Sequence, residues 1–270
     1  MDKNKMLSFS SEVYDRIAQE AGGNYPFATG IYHAPFIKPL LKNIRKTGKK
    51  PIRLCEVGPN TTPIIQFLDA PTDIHYIGLE ASSNATQYAQ QHYKNHPHIQ
   101  ILNVAIGSDD ETIEKTAHKS ISEADLVYAS YVGPSVGLIY LVDYIAKRLS
   151  NGAQMLVIDR VYEAGEELNG RIIGYVHFIW HLIKHCVVNR VKFPFWSLLK
   201  AITQPVIYNN THYREGKALW SKHVTGSKHE VENQIIAIGK NYHIEFKMTF
   251  IGDVIILIGE KRSEANGTNG

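Results

Sequence analysis

The sequence predicts an α/β fold built on a doubly wound, mostly parallel β-sheet. Strand-like apolar segments alternate with helical segments through the middle of the chain, a pattern typical of parallel sheets. The first two strands each end in an acid, Glu56 and Glu80. Near its end the chain has two strand-like segments in succession, which predict an antiparallel hairpin at one edge of the sheet.

The first βαβ unit is predicted early in this alternation. The apolar strand Ile52–Glu56 leads into Gly58, and a helix is expected over Thr61–Leu68. A second strand, His75–Leu79, ends beside Glu80. Ligands of open α/β sheets bind at the carboxyl ends of the strands. A carboxylate there suits a ribose, because both hydroxyls of the diol can donate to one acid.

The rest of the core follows the same alternation. Further strands are expected over Ile99–Val104, Leu126–Ala129 and Gln154–Asp159, and helices over Ser83–His96 and Pro134–Leu149. The hairpin is expected to pair Tyr242–Phe250 with Asp253–Gly259 through a turn at Ile251-Gly252. This hairpin argues against an NAD-binding sheet, which normally ends in parallel strands.

The chain divides into five predicted segments. These are leading helices in 1–50, an α/β core in 51–160, an insertion in 161–226, a final helix and hairpin in 227–262, and a disordered polar tail in 263–270. The leading helices are expected over Val13–Ala21 and Ala34–Arg45. The insertion is too long for an ordinary connection and is rich in aromatic residues, so we expect a helical cap over the carboxyl ends of the strands.

The strand ends resemble those of the class I S-adenosylmethionine (SAM) dependent methyltransferases. In that family the first strand runs into an acid and a Gly-rich turn, here Glu56 to Thr62, and the ribose-binding acid ends the second strand, here Glu80. The resemblance covers Pro51–Arg160 and Gln234–Arg262. The chain departs from the family in having only Gly58 in a turn that usually holds several glycines. SAM has no phosphate, so this loss weakens NAD binding more than SAM binding.

The resemblance implies SAM as the cofactor and a set of residues that contact it. Glu56 would position the methionine end, Gly58 would let the backbone approach the ligand, and Glu80 would bind the ribose. Asn60 either adopts a left-handed conformation or caps the next helix. The leading helices would form a lid, or else only pack on the sheet. The full cofactor-binding set is Glu56, Gly58, Pro59, Asn60, Glu80, Ala81, Ala105, Ile106, Ser130, Tyr131, Tyr14 and Tyr32.

Methyl transfer requires little acid–base chemistry from the protein, so catalytic residues leave a weak trace in the sequence. Asp159 ends the fifth strand, where it either orients the acceptor or pairs structurally with Arg160. His177 and His181 are the other catalytic candidates, and with His185 they follow i, i+4, i+8 spacing. This stripe suits a substrate-facing group, a metal site, or a polar helix face. No acid or cysteine follows with ligand spacing, so no metal is predicted.

Composition narrows the class of partners. A net charge of +3 over 270 residues gives no argument for nucleic acid. Cys55 and Cys186 are expected to be free thiols. The first residues lack the apolar segment of a signal peptide, so we expect a cytoplasmic protein. Lys192, Phe193 and Trp196 lie near the His stripe and also fit peripheral contact with a membrane.

The sequence thus predicts a SAM-dependent methyltransferase that acts on a small, hydrophobic or lipid-like acceptor. The aromatic insertion favours such an acceptor, because pockets for hydrophobic molecules are lined in this way. Two alternatives stay open: a non-catalytic SAM- or nucleotide-binding protein, and a nucleotide-sugar or NAD-dependent enzyme. The acceptor and the oligomeric state are not specified by the sequence.

Overall fold

Seven strands form one sheet in the computed structural model, which describes residues 12, 30–68, 71–161, 168–193, 195 and 226–262. The strands are β1 (Ile52–Val57), β2 (Ile74–Glu80), β3 (Ile99–Asn103), β4 (Leu126–Ser130), β5 (Gln154–Arg160), β6 (Ile244–Ile251) and β7 (Val254–Lys261). The helices are α1 (Gly30–Lys46), α2 (Ser83–Tyr93), α3 (Glu111–Ser122), α4 (Gly133–Val136), α5 (Leu138–Arg148), α6 (Leu168–Asn189) and α7 (Lys228–Tyr242).

The strand order is β3-β2-β1-β4-β5-β7-β6, and all pairs from β3 to β5 are parallel. Only β7 runs against its neighbours, β5 and β6. The predicted doubly wound sheet and its terminal antiparallel hairpin are therefore confirmed. The chain moves outward from β1 to β3 and then returns to place β4 on the other side of β1. The gap between the carboxyl ends of β1 and β4 is thus the topological switch point, where ligands of such sheets bind.

Helices cover both faces of the sheet, which explains why consecutive residues are buried and apolar in β4 and in the middle of β5. On one face, here called the α1 face, α1, α2 and α6 bury side chains such as Ile37, Ala89 and Leu182 against the sheet. On the other, the α5 face, α3, α5 and α7 do the same. The predicted free thiols, Cys55 and Cys186, are both buried and unpaired.

The helix expected over Thr61–Leu68 is the clearest error of the sequence analysis. A single short 3-10 turn, Ile64–Phe67, stands in its place. Pro63, in an extended conformation, immediately precedes the turn, and Leu68 is also extended, so the chain is straight on both sides of it. A proline disfavours the helical conformation of the residue before it, here Thr62, which opposes a helix that begins at Thr61.

Other elements differ from the prediction at their ends. The helix expected over Pro134–Leu149 is split into α4 and α5 at Gly137, whose φ of 91° is outside the helical region. The leading helix expected from Ala34 begins already at Gly30. The hairpin turns at Gly252-Asp253, one residue later than expected.

One observed helix was not predicted, and several predicted segments fall outside the described residues. Helix α3 is not among the elements that the sequence analysis predicts. The leading helix expected over Val13–Ala21, most of the insertion and the tail 263–270 fall outside the described residues, although α6 places a long helix in the insertion. Among the helices that the structure describes, none has the length and apolar character needed to cross a membrane.

We expect Asp110→Ala to destabilise the protein by about 1 kcal/mol, the usual cost of losing an N-cap. The Asp110 carboxylate accepts hydrogen bonds from the N–H groups of Thr112 at 2.8 Å and Ile113 at 3.1 Å, and so caps α3. Asp110→Asn keeps an acceptor in place and should retain most of the stability. Urea unfolding of both variants checks this, and equal losses from Ala and Asn would contradict it.

Candidate active site

Two acids stand at the carboxyl ends of adjacent strands, beside the switch point. Glu56 lies in β1 and Glu80 ends β2, and both are buried. Residue alternation along each strand places both acids on the α1 face. Between the two acids in sequence lies the turn 58–61, which leads away from β1. The structure therefore brings together the two carboxylates that the sequence analysis singled out.

The turn after β1 depends on a glycine in a left-handed conformation. Gly58 has φ of 73°, and its N–H donates to the Leu79 carbonyl at 2.9 Å. A Cβ at this position would lie 2.7 Å from Cγ2 of Val132, closer than real Cβ atoms approach. Gly58 therefore allows the turn and the segment after β4 to meet. Pro59 packs over β2, with its Cγ 2.9 Å from where a Cβ on Gly78 would be.

Asn60 supplies the second left-handed residue of the turn, with φ of 53°. The left-handed alternative of the sequence analysis is thus confirmed. Its side-chain oxygen accepts the N–H of Thr61 at 2.7 Å, and its own N–H donates to Glu80 at 2.7 Å. Asparagine tolerates this region because its short amide can bond locally in this way. The turn therefore takes its shape with Gly58 as its single glycine.

Glu80 holds together the turns that follow β1 and β2. One carboxylate oxygen accepts the Asn60 N–H at 2.7 Å, and the other accepts the Ser82 N–H at 2.8 Å. A carboxylate has about four acceptor positions, of which these two bonds use two. Ala81, between Glu80 and Ser82, continues this turn, and its carbonyl accepts Nδ2 of Asn103 at 3.1 Å.

Glu56 is a buried acid held by two donors. Its Oε2 accepts the Ile64 N–H at 2.8 Å and the Tyr76 hydroxyl at 2.5 Å. Burial raises its pKa to about 8, with the charge of Glu80 adding to the rise, while the bonds from Tyr76 and Ile64 act against it. Among the described residues, no lysine or arginine forms an ion pair with Glu56. Without such a partner the Glu56 carboxyl keeps its proton near pH 7.

The other side of the switch point is formed by the segment after β4. Ser130 is half-buried at the strand end, and Tyr131 follows with φ of 53° and an N–H that donates to the Ile158 carbonyl at 3.0 Å. The Arg160 guanidinium lies 5.9 Å from the centre of the Tyr131 ring. Burial raises the pKa of Tyr131 to about 12, which keeps the phenol neutral.

Asp159 is fully buried, and its side chain accepts the backbone N–H of Arg160 at 2.7 Å. Strand alternation directs it to the α5 face, opposite to that of Glu56 and Arg160. The Arg160 guanidinium forms an ion pair with Asp253, with 3.6 Å between Nη1 and Oδ2. The structural alternative, a pair between Asp159 and Arg160, therefore stays a prediction. A catalytic role for Asp159 stays a prediction.

Two histidines of α6, His181 and His185, pack toward α1. The ring of His185 lies 4.4 Å from that of Phe36, and the ring of His181 lies 6.4 Å from it. Nε2 of His185 is also 3.2 Å from the Pro35 carbonyl. Burial lowers the pKa of both His181 and His185, so both are neutral near pH 7. These contacts favour the polar helix face over a metal site. The side chain of His177 lies outside the described residues.

The remaining predicted cofactor contacts lie at the rim or outside the described residues. Ala105 is half-buried after β3, whereas the side chain of Ile106 is buried in the core of the α5 face, so only its backbone is available. Tyr32, in α1, is half-buried and packs against the core of the α1 face. Tyr14 falls outside the described residues.

A polar pair near the site was missed by the sequence analysis. Nδ1 of His33, in α1, lies 2.6 Å from the Tyr128 hydroxyl in β4, and both side chains are buried. The His33 ring is also 5.5 Å from that of Tyr131. Burial lowers the pKa of His33 to about 3, so the imidazole is neutral. The two residues are 95 positions apart, and no local pattern links them; His33 amid apolar neighbours in a helix was the only signal.

This architecture is that of the class I SAM-dependent methyltransferases: a seven-stranded sheet with β7 antiparallel between β5 and β6, and helices on both faces. Among solved structures, the chain is similar to the plantazolicin methyltransferase BpumL in complex with a triazolic desmethylPZN analog and S-adenosylhomocysteine (SAH). That match has a TM-score of 0.56 and 10% identity, over 97% of this chain and 98% of the other.

Two further structures support the same fold. The complex of BpumL with a pentazolic desmethylPZN analog and SAH matches with a TM-score of 0.51 and 11% identity, over 97% of this chain and all of the other. The CurJ carbon methyltransferase matches with a TM-score of 0.50 and 11% identity. This chain spans about half of that protein, since the match covers 85% of this chain and 54% of CurJ. No protein-family model and no curated protein sequence matches the chain.

We expect Glu56→Gln to change how stability depends on pH. The wild-type carboxyl has a pKa of about 8 when folded and about 4.5 when unfolded, so the folded state binds the extra proton between these values. Stability from this group is thus highest below about pH 4.5 and falls as pH rises to about 8. The amide can accept the same two bonds but does not titrate. Between about pH 5 and pH 8.5, the free energy of unfolding of Glu56→Gln should therefore rise by about 1–4 kcal/mol relative to that of wild type.

Guanidinium unfolding at both pH values measures this difference. Glu111→Gln is the matched control, because Glu111 is exposed on the surface of α3. Parallel stability curves for wild type and Glu56→Gln would show that the buried carboxyl is ionised throughout.

Proposed function

We propose that this protein is a SAM-dependent methyltransferase that acts on a small, hydrophobic or lipid-like acceptor. The observation on which this rests is the pair of buried acids, Glu56 and Glu80, at neighbouring strand ends on either side of the Gly58 turn. A ligand with a ribose at one end and a cation at the other would complement both acids. SAM has both groups.

The site residues fit each part of the cofactor. The ribose hydroxyls would donate to Glu80, because an acid at the end of the second strand is placed to accept both hydroxyls of a diol. The amino group of the methionine end would meet Glu56, which is buried without an ion-pair partner in the described part of the chain. Oγ1 of Thr61 is also buried and has no hydrogen-bond partner among the described residues, so the turn offers a further polar contact.

The single glycine of the turn is compatible with this ligand. To bind a dinucleotide, the backbone must come close to the pyrophosphate. Dinucleotide-binding proteins achieve this with several glycines in the turn. SAM carries no phosphate. The chain meets the geometric need with Gly58 and a left-handed Asn60 alone.

Bound SAM supplies an activated methyl group, so the tasks left to the chain are positioning and exclusion of water. Glu56 and Glu80 would orient the two ends of the cofactor along β1 and β2. Tyr131, neutral and held beside Arg160, would border the acceptor side. Asp159, His177 and His181 remain the candidate catalytic residues. The aromatic composition of segment 161–226 supports a hydrophobic acceptor.

Titration calorimetry with SAM and SAH tests the cofactor assignment. Wild type should bind both, and Glu80→Ala should weaken binding about 10- to 100-fold, because hydrogen bonds to charged groups contribute about 1.5–3 kcal/mol. Glu56→Gln should weaken SAM binding while keeping the acceptor for Tyr76 and Ile64. Glu111→Gln, on the exposed surface of α3, should bind as wild type does.

Each alternative function predicts a different result. Absence of SAM binding by wild type, with tight binding of NAD or a nucleotide sugar, would contradict the proposal. SAM binding without methyl transfer to any of a broad panel of apolar alcohols, amines and fatty acids would favour a non-catalytic binding protein. Release of SAH in the presence of one such acceptor would establish the enzyme and its acceptor class together.

A further inference from the structure

The outer face of α6 exposes large apolar side chains. Trp180 is 68% exposed, Val187 is 73% exposed and Val188 is 71% exposed. Phe195, shortly after the helix, is 55% exposed. Apolar side chains exposed together in this way are a candidate for an interaction site if they form one patch.

These residues lie on one side of the helix. Trp180, Lys184, Val187 and Val188 follow i, i+4, i+7, i+8 spacing, so they share a face. The opposite side, which includes Phe178, Leu182 and Cys186, is buried in the core of the α1 face. The helix is therefore anchored to the protein by one apolar side and presents a second apolar side to the outside. We call the exposed side, formed by Trp180, Lys184, Val187 and Val188, the α6 outer face.

The outer face is basic as well as apolar. Lys184 lies within it, and Arg190 and Lys192 follow directly after the helix, all exposed. From Leu168 to Arg214 the sequence has no aspartate or glutamate. The same stretch has six basic residues, Arg171, Lys184, Arg190, Lys192, Lys200 and Arg214, in a chain whose total net charge is only +3. A tract of this length without an acid favours an anionic partner.

We propose that the α6 outer face binds the surface of an anionic lipid bilayer. Exposed Trp and aliphatic side chains enter the boundary between headgroups and acyl chains, while flanking lysine and arginine contact the anionic headgroups. The helix is too polar to span the bilayer, so it lies along its surface. This inference does not depend on the identity of the cofactor.

A second copy of the chain is a poorer occupant of this face. A two-fold interface would bring the same patch from both protomers together. Lys184, Arg190 and Lys192 of one protomer would then lie near those of the other, with no acid in this part of the sequence to compensate them. Like charges placed together in this way disfavour association.

Vesicle co-sedimentation tests the proposal. The full chain should bind vesicles of phosphatidylcholine mixed with phosphatidylglycerol, and should not bind pure phosphatidylcholine vesicles. Added salt should weaken the binding. Trp180→Ser and Lys184→Glu should each reduce binding to the mixed vesicles about tenfold or more. A basic residue near an anionic surface contributes about fivefold to binding, and Lys184→Glu replaces it with a charge that is repelled. Trp180→Ser removes an apolar side chain that would enter the boundary between headgroups and acyl chains.

A matched control pair exists on α7. Ile236 is 40% exposed and Lys240 is exposed one turn later, which repeats the spacing of Trp180 and Lys184 on a different helix. Ile236→Ser and Lys240→Glu should leave vesicle binding unchanged. Far-UV circular dichroism and thermal unfolding of the outer-face variants show whether they remain folded, and this control does not depend on the proposed function.

Three results would overturn the proposal. The first is full binding by Lys184→Glu, and the second is equal binding to neutral and anionic vesicles. The third is a wild-type dimer, seen by sedimentation velocity, that Trp180→Ser converts to monomer while vesicles bind neither form. That last result would assign the α6 outer face to a second copy of the chain.

Discussion

The burial of the Glu56 carboxyl is the constraint on which the site depends. A buried acid needs donors, and the Tyr76 hydroxyl and the Ile64 N–H both bond to the same oxygen. These bonds tie β1 to β2 and fix the start of the 3-10 turn Ile64–Phe67. Because burial raises the pKa of Glu56 more than the two bonds lower it, the carboxyl keeps its proton up to about pH 8 in the absence of a cation. A cationic ligand would be drawn to this position because it allows the carboxyl to ionise.

The turn between the two acids shows how the chain manages with one glycine. Gly58 takes a left-handed conformation, and a Cβ at this position would require the Val132 side chain to move. Asn60 takes the second left-handed position and is held there by its bonds to Thr61 and Glu80. Glu80 is therefore both the expected ribose acceptor and a support for the turn. Its replacement by alanine will disturb both, which is why Glu56→Gln, an isosteric change, is the cleaner test of charge in the site.

The accuracy of the sequence analysis follows the range of the interactions involved. Strands such as β1 and β5 were predicted to within a residue, because most of their residues are apolar and buried on both faces of the sheet. Helix α3 was overlooked although Asp110 is a recognisable cap and Ile113, Ala117 and Ile121 share one face. That signal was local and could be read from the sequence. The His33–Tyr128 pair could not be predicted, since its partners come from different layers of the fold.

Apolar periodicity and local residue chemistry are enough to predict the alternation of strands and helices, the acids at the ends of the first two strands, and the antiparallel edge. Each segment expresses these signals independently of the rest of the fold. The packed fold was needed to show that Glu56 is buried against Tyr76, that Asn60 bonds to Glu80, and that His181 and His185 face α1 while Trp180 faces outward. Burial, pKa and the direction of a helix face depend on neighbours that are distant in sequence, so they are defined only once the layers have packed.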